Sequence, residues 1–349
     1  MDLNFSNAKL KSLIIHIVGN KLNNEKYILS NSPIEKYASD MEGLLVSYFL
    51  SPFRHSEYFT FWHESNMKLN ATYSFVQEIF ADTNSFITNS KNIAKHLYEQ
   101  STHPKIKEGE LYISLFENCI LENKIVDVIG IYKSETKDTF LQTTRTGNHF
   151  EINLQKGLNT NKVDKACLIF SNKHDNNYKV CVIDNTNKLN EAQYWKDDFL
   201  KIKACSDSYH FTKNYLSVAK EFITKQLTNE YDISKTSQID LLNKSVDYFK
   251  ENEIFAVKEF EKTVFDDPDI IKSFRKFGSS YMDYNDIDLS DRFEISIQAV
   301  KKQARIFKSV LKLDKNFHIY IHGNNDLIEQ GYDSKVGKKY YKIYYDEEK

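Results

Sequence analysis

The spacing of apolar residues changes along the chain. "KLKSLIIHIVGNKLNNEKYILSN" (9–31) places two apolar runs around a turn-rich "GNKLNNE", the pattern of a β-hairpin. Ser32 before Pro33, followed by Glu35, predicts a helix start, with the helix ending near Phe49, before Pro52. "EYFTFWH" (57–63) is strand-like, and helical spacing follows at about 67–81 and 85–100. From Glu110 alternation takes over. "ELYISLFENCIL", "KIVDVIGIYKSE", "DTFLQTT", "HFEINLQ", "VDKACLIFS" and "NYKVCVID" predict successive strands. No helix separates them, so antiparallel pairing is expected.

From about 190 to 284 the period is helical throughout, as in "SYHFTKNYLSVAKEFITKQL" and "SQIDLLNKSVDYFKEN". The end of the chain returns to short strands in "DRFEIS", "SVLKL", "NFHIYIHGN", "DLIEQG" and "KKYYKIYY". The class expected is α+β. An N-terminal antiparallel-sheet and helix domain (1–187) is followed by a helical region (188–290). A basic helix and a small antiparallel β meander (291–349) complete the chain.

Composition narrows the function. The 349 residues are 41% hydrophobic and 14% aromatic, too apolar for a disordered chain. No apolar run reaches the ~20 residues that cross a bilayer, and the N-terminus lacks signal-peptide features. The four cysteines form no CxxC pair, which argues against a zinc ribbon or a disulfide framework. Cys167 and Cys181 could face each other across a hairpin centred near His174, but two buried thiols are expected.

The net charge is only −2, yet it is segregated. Residues 229–270 hold eleven acids and five lysines. Residues 301–315 hold Lys301, Lys302, Arg305, Lys308, Lys312 and Lys315 against Asp314 alone. Ser296 is the expected N-cap of a helix over Ile297 to about Lys308, with Val300, Ala304 and Phe307 as its buried stripe. Its polar edge is then almost wholly positive, and like charges at these spacings repel. Such an edge fits an anion, phosphate above all. The bland alternative is that the acidic stretch folds back and neutralises it. Lysines outnumber arginines 42 to 5, so backbone contacts should outweigh base reading.

Catalytic motifs are weak. "GYDSKVGKK" (331–339) misspaces a phosphate loop and precedes a strand, so a hairpin turn is expected. His318 and His322 share a strand face with Tyr320 between them, but no further ligand stands at a matching spacing. Ser101 and His103 in "STHPKIKEG" (101–109) are too close in sequence to imply a triad. Glu110, Asp127, Lys133 and Glu135 lie on consecutive strands and would suit a magnesium-dependent nuclease, or simply paired charges across hairpins. No catalytic residue, metal site or cofactor is expected.

Several stretches carry a family likeness: "IIHIVGNKLNN", "IAKHLYEQSTHPKIKEGELYI" (93–113), "IGIYKSETKDTFL" (129–141), "VDKACLIFS" (163–171) and "AVKKQARIFKSVLKLDKNFHIYIHG" (299–323). In these the chain resembles the bacterial nucleoid-associated proteins of the NdpA type, in the spelling of a Bacteroidetes-type branch. The resemblance implies a cytoplasmic, nucleoid-located DNA-binding protein without enzymatic activity, built of an N-terminal α/β part and a C-terminal part. It implies no active-site pattern and does not say which residues touch DNA. The leading expectation is a binder of double-stranded DNA through the six basic residues of 301–315. Two alternatives are an adaptor for DNA-processing proteins working through the acidic 229–270 stretch, and the nuclease. No membrane partner is expected, and a homodimer is left open.

Overall fold

The computed structural model describes residues 3–35, 38, 41–53, 57–171, 178–186, 194–285, 287–305, 307, 310–321 and 327–347. The protein is α+β and divides into two compact units, Met1–Cys205 and Ser206–Lys349.

The first unit contains β1 (Leu3–Asn4), β2 (Lys9–Val18), β3 (Tyr27–Ile28), α1 (Met41–Leu50), β4 (Tyr58–Phe61), α2 (Ala71–Ala81) and α3 (Phe86–Gln100). After these come β5 (Gly109–Leu121), β6 (Lys124–Ser134), β7 (Asp138–Thr146), β8 (His149–Gly157), β9 (Lys165–Phe170), β10 (Lys179–Asp184) and β11 (Ile202–Ala204). Nine of the strands form one sheet in the order β11-β4-β10-β9-β6-β5-β2-β3, with β1 also pairing β5. Every pairing is antiparallel. The β5–β6 turn has Glu122 and Asn123 at φ 50° and 62°, the left-handed pair that suits a two-residue hairpin.

Both faces of the sheet are covered. Leu111, Ile113, Ile129, Ile131, Cys167 and Ile169 face a core shared with α2, α3 and Trp195. Helix α3 meets it with Phe86, Ile93, Ala94 and Leu97, one stripe of its surface. On the opposite face Tyr112, Phe116, Val128, Tyr132, Leu168 and Phe170 pack with Tyr48, Phe49 and Leu50 of α1. Gly130 is required there. A Cβ would stand 2.5 Å from the Tyr132 ring, whose hydroxyl donates to the Phe49 carbonyl at 3.1 Å.

Two expectations change, and one holds. The helix expected from Ser32 begins at Met41. Ile34 N–H instead donates to the Leu13 carbonyl at 2.7 Å, which holds that segment against β2. Cys167 and Cys181 are the two buried thiols expected, with no disulfide between them. Val182 stands opposite Cys167, so the two thiols lie on opposite faces of the sheet. His174 lies outside the described residues. Finally, β7 and β8 leave the sheet as a separate two-stranded ribbon, exposed along its length except at Gly157. Cross-strand partners put Leu141, Leu154, Ile152 and Phe150 on one of its faces.

The second unit opens with α4 (Ser208–Glu221), a π-helical segment at Phe222–Gln226 and α5 (Leu227–Glu230). Then come α6 (Lys235–Glu251), β12 (Ile254–Ala256), α7 (Val257–Val264), α8 (Pro268–Asn285), β13 (Arg292–Glu294) and α9 (Ile297–Ala304). Among the described residues 208–250 hold no strand, while β11 and β12 lie inside the stretch that reads as wholly helical. Asp207 and Ser234 cap α4 and α6, accepting from His210 N and Ser237 N. Val300 and Phe307 join the same core as Leu216, Phe222 and Phe274, so the 290/291 border drawn from the sequence crosses one packed core. At its centre Phe255 stands 4.3 Å from Tyr215, 4.7 Å from Phe293 and 5.2 Å from Phe249, ring centroid to centroid. The terminal strands make two hairpins, β14 (Val310–Leu313) with β15 (Phe317–Tyr320), and β16 (Ile328–Asp333) with β17 (Lys338–Ile343). "GYDSKVGKK" spans the second turn, where Asp333 Oδ1 accepts from Lys335 N and Val336 N and Gly337 has φ 68°.

Two measurements check this packing. Phe255→Ala removes a fully buried ring and should destabilise Ser206–Lys349 by about 3–5 kcal/mol, read as faster hydrogen exchange in α4, α6 and α8. His16 is buried on β2, its Nδ1 accepting from Ser30 N at 3.1 Å and its Nε2 facing Ser90 Oγ at 3.1 Å. Burial, with Lys91 nearby, lowers its pKa from 6.5 to about 4. The unfolded chain binds this proton between those values and the folded chain does not. The contribution is therefore complete above pH 6.5 and is lost as pH falls towards 4. His16→Gln should show a smaller drop in urea midpoint between neutral and acid pH than the native chain.

Candidate nucleic-acid interface

The basic segment is built on α9 and the β14–β15 hairpin. Ser296 caps α9, its Oγ accepting from Ala299 N at 3.3 Å. Val300 and Phe307 are buried and Ala304 is half-buried, the stripe that the spacing predicts. This fixes the opposite side of the helix. Lys301, Lys302 and Arg305 are exposed at its C-terminal end, where the helix dipole also favours cations.

Leu311 of β14 packs with Ile239 of α6 and Ile321, so alternation turns Lys312 outward beside its register partner His318. Lys315 is exposed in the turn after Asp314, which adopts φ 52°. Among the described residues none of these five cations makes an ion pair. Lys308 and His322 lie outside the described residues. His318 is exposed on the sheet face.

The surroundings are less positive than the sequence around residue 301 suggests. Lys301 and Arg305 border a groove of about 1130 Å³ whose other walls include Glu251, Glu253 and Glu294. Exposed Ile254 and Ile297 make part of its lining apolar. Three acids of the acidic stretch are matched locally. Asp240 pairs with Lys244 at 2.9 Å and Asp247 with Lys250 at 2.8 Å. Glu261 is buried and receives Arg275 through two bonds, Nε at 2.8 Å and Nη2 at 2.6 Å.

Of the carboxylates of the nuclease alternative, Asp127 stands apart from Glu110 and Glu135, which lie at the same end of the β5–β6 ladder. Asp127 and Glu135 lie eight residues apart along β6 and its extension, roughly 25 Å at strand rise. Glu110 pairs with Lys137 at 2.6 Å, while Glu135 sits between Lys133 and Lys165. Among the described residues no group of three His, Cys, Asp or Glu could hold a metal. Ser101 Oγ donates to the Leu97 carbonyl at 2.8 Å and ends α3, while His103 is exposed. Sequence reasoning missed Lys165, which stands opposite Lys133 in the β6–β9 register. Its signal was a lysine directly abutting the apolar run "ACLIF".

Residues 14–348 match the family model described as nucleoid-associated protein YejK. The chain belongs to that nucleoid-associated protein family. No curated protein matches it. A family match over nearly the whole chain covers both units, so the basic segment and the large sheet belong to one family architecture. No helix among the described residues is long and apolar enough to cross a membrane.

Proposed function

We propose that this family member binds double-stranded DNA mainly through phosphate contacts, with little base specificity, in the cytoplasm at the nucleoid. The surface is Lys301, Lys302, Arg305, Lys312 and Lys315, with Lys308 from the same segment. The observation that carries the reading is that the five described cations are all exposed and without ion pairs among the described residues. Cations held by carboxylates would have to exchange partners before meeting phosphate. Lysine-dominated contact fits neutralisation of the backbone, whereas base reading relies on the arginine fork. The protein acts on DNA without cutting it, a reading supported by the distance of Asp127 from Glu110 and Glu135 and by the lysines that hold those two.

The three acids across the groove temper this surface and make its affinity modest. The same groove supports a second reading, an adaptor for DNA-processing proteins, because Ile254 and Ile297 offer apolar contact between opposite charges.

One salt titration on duplex DNA separates the readings. Lys301→Glu, Lys302→Glu, Arg305→Glu and Lys308→Glu together should weaken binding to all duplex sequences alike. They should also flatten the log–log salt slope by up to ~0.9 per lost phosphate contact. Glu251→Gln, Glu253→Gln and Glu294→Gln should act oppositely and tighten binding. A folded charge-reversal variant with native affinity and slope would place the DNA surface elsewhere.

A further inference from the structure

A second charged site lies at one end of the large sheet. One row crosses five strands: His16 opposite Leu111, Leu111 opposite Lys133, Lys133 opposite Lys165, and Lys165 opposite Asp184. Two lysines directly opposed on neighbouring strands repel, and both are buried, with side chains 0% and 2% exposed. Glu135 is shared between them, its Oε1 3.1 Å from Lys133 Nζ and its Oε2 3.4 Å from Lys165 Nζ. Lys133 also donates to the Lys107 carbonyl at 2.9 Å, and Lys165 to Thr186 Oγ1. The Tyr194 hydroxyl donates to Glu135 at 3.5 Å. Burial holds the Lys133 pKa below the usual lysine range, against the pull of Glu135.

Lys165 forms part of the wall of a recess of about 240 Å³, together with His103, Lys105, Lys107, Glu135 and Lys162. Of the nearby carboxylates, Asp164 accepts from Glu135 N at 2.9 Å and Thr136 N at 2.8 Å. Asp164 also lies 3.9 Å from Lys162, and Asp184 lies 3.9 Å from Lys165 while accepting from Thr186. Among the described residues Lys105, Lys107, Lys133, Lys162 and Lys165 thus face Glu25, Glu135, Asp164 and Asp184, an excess of one positive charge.

We propose that this recess binds a phosphomonoester, either a free nucleotide or the 5′-terminal phosphate of a nucleic acid. A phosphomonoester carries about −1.5 to −2 near pH 7, more charge than a diester to set against these ammonium groups. Its free oxygens can accept from several ammonium groups at once. A phosphodiester inside a duplex carries a single charge and stays in its backbone, so it cannot enter a recess. The lining comes from 103–107, 135–136, 162–165 and 185–186, so the fold has to close before the site exists.

Calorimetry on the full chain in phosphate-free buffer tests this, with deoxyadenosine 5′-monophosphate against deoxyadenosine. A short single-stranded oligonucleotide bearing a 5′-phosphate is compared in the same way with its 5′-hydroxyl form. At least one phosphorylated probe should bind about tenfold or more tighter than its unphosphorylated counterpart. The pair that shows the difference identifies the source. Lys107→Glu with Lys162→Glu, both exposed, should remove the difference while leaving the unfolding midpoint in place. Lys165→Met should remove it too where that variant folds. Lys203→Glu, on β11 outside the recess, should keep it. Equal binding within both pairs, or a difference that survives Lys107→Glu with Lys162→Glu, would overturn the proposal.

Discussion

The hydrogen-bonded ladder of β5, β6 and β9 lies under apolar layers on both faces, so its backbone groups have no water to turn to. Continuous apolar runs of this kind are more usual in parallel sheets, where crossover helices cover the faces. Here hairpins make the ladder and separate helices cover it, α2 and α3 on one side and α1 on the other. The strand interiors therefore admit few polar side chains. Ser114 is one, and its hydroxyl is satisfied by the Gly130 carbonyl at 3.4 Å. Charge enters only where the ladder ends, which is why Lys133 and Lys165 sit where they do.

The strands of this sheet were legible because each alternating or apolar run is bounded by turn residues. Helices α2, α3, α4 and α6 were legible from their stripes. The order of strands was not. Nothing local tells that β4, far upstream, pairs β10, or that the ribbon of β7 and β8 stands apart. Alternation in "DTFLQTT" predicts a strand equally well in or out of the main sheet, since pairing is a tertiary choice. Ile34 shows the same limit from the other side. Its caps and Pro33 favour a helix, and a single backbone bond to Leu13 decides otherwise.

The basic segment was legible because exposure follows from the helix stripe once Val300, Ala304 and Phe307 are assigned inward. Its acidic neighbours were not, because Glu251, Glu253 and Lys301 meet only through the fold. Charge segregated along a chain can be mixed in space, and net charge over a window says little about local potential. The converse holds at the sheet end, where Lys107, Lys162 and Lys165 are scattered in sequence and gathered in space.

The ribbon of β7 and β8 has a consequence for how the chain reaches this fold. β6 and β9 are antiparallel neighbours, yet residues 135–164 intervene between them. An unstructured loop of that length raises the entropic cost of bringing its ends together, by about 0.6 kcal/mol for each doubling. The ribbon is a hairpin nested inside that connection and needs only its own two-residue turn at Gly147. Hairpins of this kind zip in ~1–10 μs, faster than most long-range pairings. Once zipped, it brings residues 138 and 157 together, leaving β6 and β9 only short tethers to span. A segment that buries almost nothing in the finished sheet thus shortens the path by which its two central strands find each other.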